Sequence, residues 1–205
     1  MAHTYSTDSA ERRYVPFFIA IAAIAATFTV FHFLDRYQIT VPWWATPPID
    51  TMAFYGVFYE LFDRWVWKCG PLHKLRIIRV PNLSGIWTGR VEPIETNGVS
   101  AGLGVKADLS IQIRQTWTTM LIIGDAALSQ SHSLSANLLT SGECTLSYEY
   151  LNEPRPSAPS TMHAHRGVAR VMVLGNCARL DGEYYSGRDR QNIGTIHLRR
   201  SQREG

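Results

Sequence analysis

The stretch LDGEYYSGRDRQNIGTIHLRRS, residues 180–201, decides how the second half of the chain is read. Two runs within it, ARLDGEYYSG (178–187, counting two residues upstream) and NIGTIHLRR (192–200), alternate apolar and polar side chains. That period of two marks strands with one buried face. Tyr184 and Tyr185 are consecutive, so they point to opposite faces of a sheet and at most one can line an interior. Arg188 and Arg190 fall in the turn that follows. An aromatic pair beside two arginines is either ordinary edge-strand chemistry or a means of holding a phosphorylated aromatic ligand.

The same alternation extends back to Pro81. LSGIWTGRVEP (83–93) is the first candidate strand, and VKADLSIQIRQ (105–115) sets Leu109, Ile111 and Ile113 against polar neighbours. TWTTMLIIGD (116–125) runs to a Gly-Asp turn, and SLSANLLT (133–140) and CTLSYEYLNE (144–153) flank Ser141-Gly142, a hairpin signal. After the Pro/Ser-rich loop PRPSAPSTM (154–162) comes HAHRGVARVMVL (163–174). Eight short strands with no helix among them predict an all-β domain, an eight-stranded antiparallel up-and-down barrel, because closure removes exposed edges. Such a barrel is just wide enough to be filled by side chains or to hold one small ligand. A seven-stranded sandwich is the alternative fold.

Upstream the pattern is that of a membrane. VPFFIAIAAIAATFTVFHFL, residues 15–34, has no Asp, Glu, Lys or Arg, and at about 1.5 Å per residue it spans a ~30 Å hydrocarbon core. A cleaved signal peptide would have a shorter apolar run ending in small residues. A second segment, IDTMAFYGVFYELFDRWVW (49–67), carries Phe54, Phe58, Leu61 and Trp65 on one helical face, with Glu60 and Arg64 spaced to pair. It reads as a second span with a polar stripe turned toward protein, or as an amphipathic helix lying in the interface. VPWWATPP (41–48) supplies the helix breakers and interfacial tryptophans of a re-entry loop. Two membrane helices in residues 1–77 and a barrel in 78–205 is the expected division.

Charges set the orientation. Arg12 and Arg13 precede the first span, and Lys68, Lys74, Arg76 and Arg79 follow the second. With two spans the positive-inside rule puts both termini in the cytoplasm, whereas one span would put the barrel on the other side. The net charge of +3 in 205 residues is too small to argue for a DNA or RNA partner. Cys69, Cys144 and Cys177 form no C-x-x-C pair and fit reduced thiols.

No enzyme is expected, since there is no G-x-S-x-G elbow, P-loop or H-E-x-x-H. Gly102-Leu103-Gly104 lacks the rest of a dinucleotide fingerprint, and His163 and His165 share a strand face without a third metal ligand at a matching spacing. What remains is an aromatic and cationic set: Trp87, Trp117, Tyr148, Tyr150, Tyr184 and Tyr185 on strands, with Arg114, Arg166, Arg188 and Arg190 at the wall or mouth. Aromatic faces accept any nucleobase, and guanidinium forks match phosphate oxygens. Strands also favour aromatics for packing alone, and Trp87 in SGIWTG fits a core plug better than a ligand platform.

In order, the membrane-spanning N-terminus, PNLSGIWTG, SIQIRQTWTTMLI, LSYEYLNEP, HRGVARV and LDGEYYSGRDRQNIGTIHLRR resemble the transmembrane β-barrel effectors of bacterial CBASS antiphage defence. The most specific part is the tail, G-x-Y-Y-S-G-R-x-R-x-x-x-G-x-I-x-L. The resemblance implies a multi-pass inner-membrane protein with its sensor barrel in the cytoplasm, functionally linked to a CD-NTase. It implies that the barrel binds a cyclic di- or oligonucleotide, and that oligomerisation then disrupts membrane lipid. The ligand residues it points to are Tyr185, Arg188 and Arg190, with Trp117, Tyr150 and Trp87 as further candidates. No catalytic residue, metal or cofactor is implied. The polar segment 49–67 departs from a clean hydrophobic span. A membrane-tethered, lipocalin-like carrier of an apolar ligand is the alternative function, and a fully packed structural barrel a third.

Overall fold

A computed structural model describes residues 1–40, 47–94, 107–187 and 193–201, with Pro47 and Pro48 described by their backbone alone. Arg188 and Arg190 lie outside the described residues. Two short strands, β1 (His3–Thr4) and β2 (Ser6–Thr7), precede the helices α1 (Glu11–Arg36) and α2 (Pro47–Arg64), a 3-10 turn at Val66–Lys68 and the short α3 (Gly70–Lys74). Eight strands follow: β3 (Gly85–Pro93), β4 (Ala107–Gln115), β5 (Thr119–Ala126), β6 (Ser129–Leu139), β7 (Thr145–Pro154), β8 (His165–Leu174), β9 (Arg179–Ser186) and β10 (Ile193–Arg200). The chain forms two compact units, Met1–Ser9 with Val80–Gly205, and Ala10–Arg79.

Each of β3 to β10 pairs antiparallel with the next, and β10 returns to pair with β3, which closes the predicted eight-stranded barrel. Alternation builds it, as expected. In β4, Leu109, Ile111, Ile113 and Gln115 face inward while Asp108 and Arg114 face water. One turn differs from the sequence reading. Gly124 and Asp125 lie within β5, not in the turn, which comes at Ala127-Leu128. Gly124 is a glycine because the Ser131 side chain opposite occupies the space a Cβ would need. β6 accordingly begins at Ser129, four residues earlier than its apolar run indicated.

The core occupies one end of the barrel. Trp87, Ile113, Trp117, Met120, Ile122, Leu138, Leu146, Leu180 and Leu198 are all buried there, beneath Leu83 and Val80. Burying each such side chain contributes about 1.5–3 kcal/mol. The opposite end, where β3, β5, β7 and β9 finish, is not filled in this way.

In the second unit, α1 is about 39 Å long at 1.5 Å per residue and is, among the described residues, the one helix long and apolar enough to cross a membrane. Val15, Ile19, Ala23 and Thr27 recur every four residues and form its buried stripe. The Thr51 hydroxyl on α2 donates to Thr27 Oγ1 at 2.9 Å, so a polar group in an apolar helix finds its partner on the neighbour. On α2, Glu60 and Arg64 form the i,i+4 ion pair that their spacing predicts. At the base of the unit the buried Glu11 carboxylate accepts a hydrogen bond from the Arg79 backbone N–H. The first and last turns of this unit therefore meet.

Candidate functional site

Above the packed end, the barrel holds an open cavity of about 1220 Å³. Small-molecule sites usually run to roughly 300–1,000 Å³, so this one has room for a ligand larger than a single nucleotide. Its apolar wall comes from Val91, Leu109 and Ile111 on β3 and β4, with Ile196 on β10. Ser129 and Ser131 on β6 supply hydroxyls, and Asn152, His165 and Ser186 supply polar groups nearer the mouth.

Three tyrosines, Tyr148, Tyr150 and Tyr184, form the remaining wall. Tyr148 and Tyr150 are two apart on β7 and so share a face, with ring centroids 6.1 Å apart and planes tilted by 51°. Tyr150 pairs in register with Gly167 on β8, and Tyr184 with Gly194 on β10. A Cβ on Gly167 would collide with the Tyr150 ring, and one on Gly194 with the Tyr184 ring. The glycines let both rings lie down on the sheet, an arrangement known as aromatic rescue of a strand glycine. Burial raises the pKa of all three phenols. Tyr150 is pushed up to about 12, first by burial and then by neighbouring Tyr184. Burial and then Tyr150 raise Tyr148 further still, and burial raises Tyr184. All three keep their protons at neutral pH and offer hydroxyl donors together with ring faces.

Cationic groups sit at the mouth. Arg155, just beyond β7, pairs with Asp125 while its backbone N–H donates to the Leu128 carbonyl at 2.8 Å. Arg90 borders the cavity beside Asp108, at 3.4 Å, both largely in water. Exposed pairs of this kind are weak, so an anion can compete for either guanidinium. Among the described residues, no group of His, Cys, Asp and Glu could hold a metal ion.

Of the residues singled out from sequence, Tyr150 lines the cavity. Trp87 and Trp117 do not. They are 0% and 1% exposed at the packed end, where the Trp87 indole N–H donates to the Leu83 carbonyl at 3.0 Å and the Arg200 guanidinium sits 5.2 Å from its ring centroid. Tyr185 faces outward, 44% exposed, and its hydroxyl donates to Glu183. The inward member of the pair is Tyr184. Arg114 and Arg166 are on the outer face, beside Gln112 and Glu149. Sequence reasoning missed Arg155, which falls in a Pro/Ser-rich loop where no periodicity assigns a direction.

Residues 78–200 match the family model described as the Cap15 cyclic dinucleotide receptor domain, and residues 13–68 match that of the Cap15 TM helices. No curated protein matches the chain. The matched receptor domain is the closed barrel with its cavity, and the matched helical region contains the apolar α1. The chain belongs to the Cap15 family, the membrane-associated CBASS effectors that sense cyclic nucleotides.

Proposed function

We propose that the open end of the barrel binds a cyclic dinucleotide with its bases against Tyr150 and Tyr184 and its phosphates at the mouth, held by Arg155 and by Arg188 and Arg190 of the β9–β10 connection. The observation that carries this reading is the half-filled barrel itself: a cavity of about 1220 Å³ walled by three tyrosines, with Arg155 at its mouth. Aromatic faces supply sequence-tolerant stacking, and guanidinium forks supply bidentate contact with phosphate. A carrier of apolar molecules would have little use for Ser129, Ser131, Asn152 and His165 around its ligand.

Binding drives self-association, and the helices then disrupt the inner membrane. The chain crosses twice, with the barrel in the cytoplasm. Connectivity supports this topology. Met1–Ser9 and Val80–Gly205 belong to one unit, so the segment between them leaves and returns to the same side of the membrane. If α1 crosses, α2 crosses back, with Glu60 and Arg64 neutralising each other along it. The basic residues at both ends of this segment support a cytoplasmic assignment for that side.

The test is thermal unfolding of the full chain in detergent against a panel of cyclic di- and trinucleotides. A ligand at a hundred times its dissociation constant adds about 2.7 kcal/mol. Stabilisation by one nucleotide, with dye release from liposomes at the same concentration, is the expected result. Co-purified lipid and no nucleotide response would replace this reading with the apolar carrier.

A further inference from the structure

The barrel wall has one weak seam. β5 and β6 share only three register pairs, Ile123 with His132, Gly124 with Ser131 and Asp125 with Gln130, whereas β4 and β5 share seven. Below His132 the two strands part. The register of β6 against β7 shifts between Ser133 and Ser135, and the Ser133 hydroxyl, rather than a backbone carbonyl, accepts the Ile122 N–H at 3.0 Å. Two lengths of strand edge are thereby left open, and an open edge is a template for any extended peptide.

The first residues of the chain fill that gap. His3 and Thr4 pair antiparallel with Met120 and Thr119 of β5, and Ser6 and Thr7 pair parallel with Asn137 and Leu138 of β6. A single peptide running between two antiparallel strands must be antiparallel to one and parallel to the other, as observed. Side chains fix its position at three levels. His3 Nε2 lies 2.7 Å from Ser133 Oγ at the top of the gap. In the middle, buried Tyr5 accepts a hydrogen bond at Oη from Gln115 Nε2 at 3.3 Å. At the bottom the Asp8 carboxylate accepts from the Thr140 N–H (2.7 Å), the Thr140 hydroxyl (2.9 Å) and the Ser141 N–H (2.9 Å), capping the β6–β7 turn.

We infer that the lower β5–β6 seam is a strand-accepting site of the barrel, and that its ligand is this chain's own segment 3–8, bound by strand addition. This is the recognition mode in which main-chain pairing gives affinity and alternate side chains give selectivity. The site selects a backbone that can pair on both edges, an aromatic hydroxyl that reaches Gln115, and a carboxylate three residues further on. Ser9 and Ala10 join this segment to Glu11, the first residue of α1. The seam starts one residue pair below Gly124 and Ser131, which line the cavity. The site is separate from the ligand cavity and stands whether or not the cavity takes a nucleotide.

Thr4 and Thr119 give the test. Tyr5 N–H donates to the Thr118 carbonyl, while the Thr119 N–H and C=O are both bonded to Thr116. Thr4 and Thr119 are therefore a non-hydrogen-bonded pair, whose Cα separation of about 4.5 Å falls within disulfide range. The full chain carrying Thr4→Cys and Thr119→Cys is oxidised with copper phenanthroline in liposomes, and the 4–119 link is located by peptide mass spectrometry. A link within one chain, on a monomer band, is expected. Absence of the link, or covalent dimers joined through it, would overturn the inference, the dimers by assigning the segment to another copy. A second measurement avoids oxidation. In full-length Asp8→Ala, amides at 119–122 and 134–139 should exchange about tenfold faster while those shared by β8 and β9 stay protected. Unchanged exchange at the seam would count against the inference equally.

Discussion

Tyr184 on β9 lies across its register partner Gly194 on β10: a Cβ on the glycine would stand 2.5 Å from the ring's Cε1 and 2.8 Å from its Cζ. The glycine thus makes the ring a flat tile on the cavity wall, while its neighbour Tyr185 points into water. Substituting the two adjacent residues separates a ligand platform from a surface position. Tyr184→Ala should weaken nucleotide binding by about 5- to 150-fold, the equivalent of the ~1–3 kcal/mol of one base stack. Tyr185→Ala should leave it within a factor of about two. Isothermal titration of both full-length variants checks this, and equal losses would remove the platform role from Tyr184.

Arg155 is engaged by Asp125 at the mouth, in a pair about half exposed on both sides. A phosphate competes for a guanidinium held this loosely. Arg155→Ala should therefore lower affinity and flatten its dependence on salt, because the lost contact is an electrostatic one in water. Arg155→Lys should recover the charge but not the fork, and fall between the two. Affinities at low and at physiological ionic strength decide it. A variant with unchanged affinity at both would leave phosphate recognition to other cations.

The barrel was legible because eight runs of period two leave little other choice, and the strand ends fell within a few residues of expectation wherever a polar turn followed. The start of β6 is hidden in the sequence because Ser129, Gln130 and Ser131 are polar, and a serine facing a cavity looks like a serine in a loop. Consecutive tyrosines mean that at most one can face in, yet which one depends on register with Gly194, a pairing no local pattern encodes. The N-terminal strands escaped for the same reason. HTYST has no run long enough to show a period, and its partners, Met120 and Leu138, lie more than a hundred residues away. Trp87 and Trp117 carried the aromatic signal of a ligand site, but their depth in the barrel is a property of the closed end, where Arg200 covers Trp87.

That depth has a measurable consequence. Trp87 is wholly buried and its indole N–H is bonded, so Trp87→Ala leaves a cavity beneath Arg200 and exposes the Leu83 carbonyl to a lost donor. Large-to-small changes of this kind cost about 3–5 kcal/mol. Trp87→Phe should cost less, since it keeps most of the volume and loses the hydrogen bond alone. Both variants should bind nucleotide with near wild-type affinity at temperatures where they remain folded. Chemical denaturation followed by titration checks the two halves separately, and a loss of affinity in stable Trp87→Phe would place the ligand deeper than the tyrosine wall.

Asp8 ties the N-terminal strand to the β6–β7 turn, and its contribution depends on pH in a fixed direction. Hydrogen bonds from Ser141 and then Thr140 hold the carboxyl far below its ordinary value of 3.8. A group whose folded pKa is depressed stabilises the fold above its unfolded pKa and loses that effect as pH falls toward the folded one. The carboxylate is almost fully in water, so screening keeps the contribution modest. Asp8→Asn should therefore melt below the wild type at pH 7, and the gap should narrow steadily below about pH 4, as the unfolded wild-type chain takes up its proton. The amide retains one acceptor oxygen, so the strand stays seated and the comparison isolates the charge. Melting curves of the two full-length proteins across that range are the check. A gap that widens in acid would reverse the sign and show that Asp8 is strained, rather than satisfied, by the turn it caps.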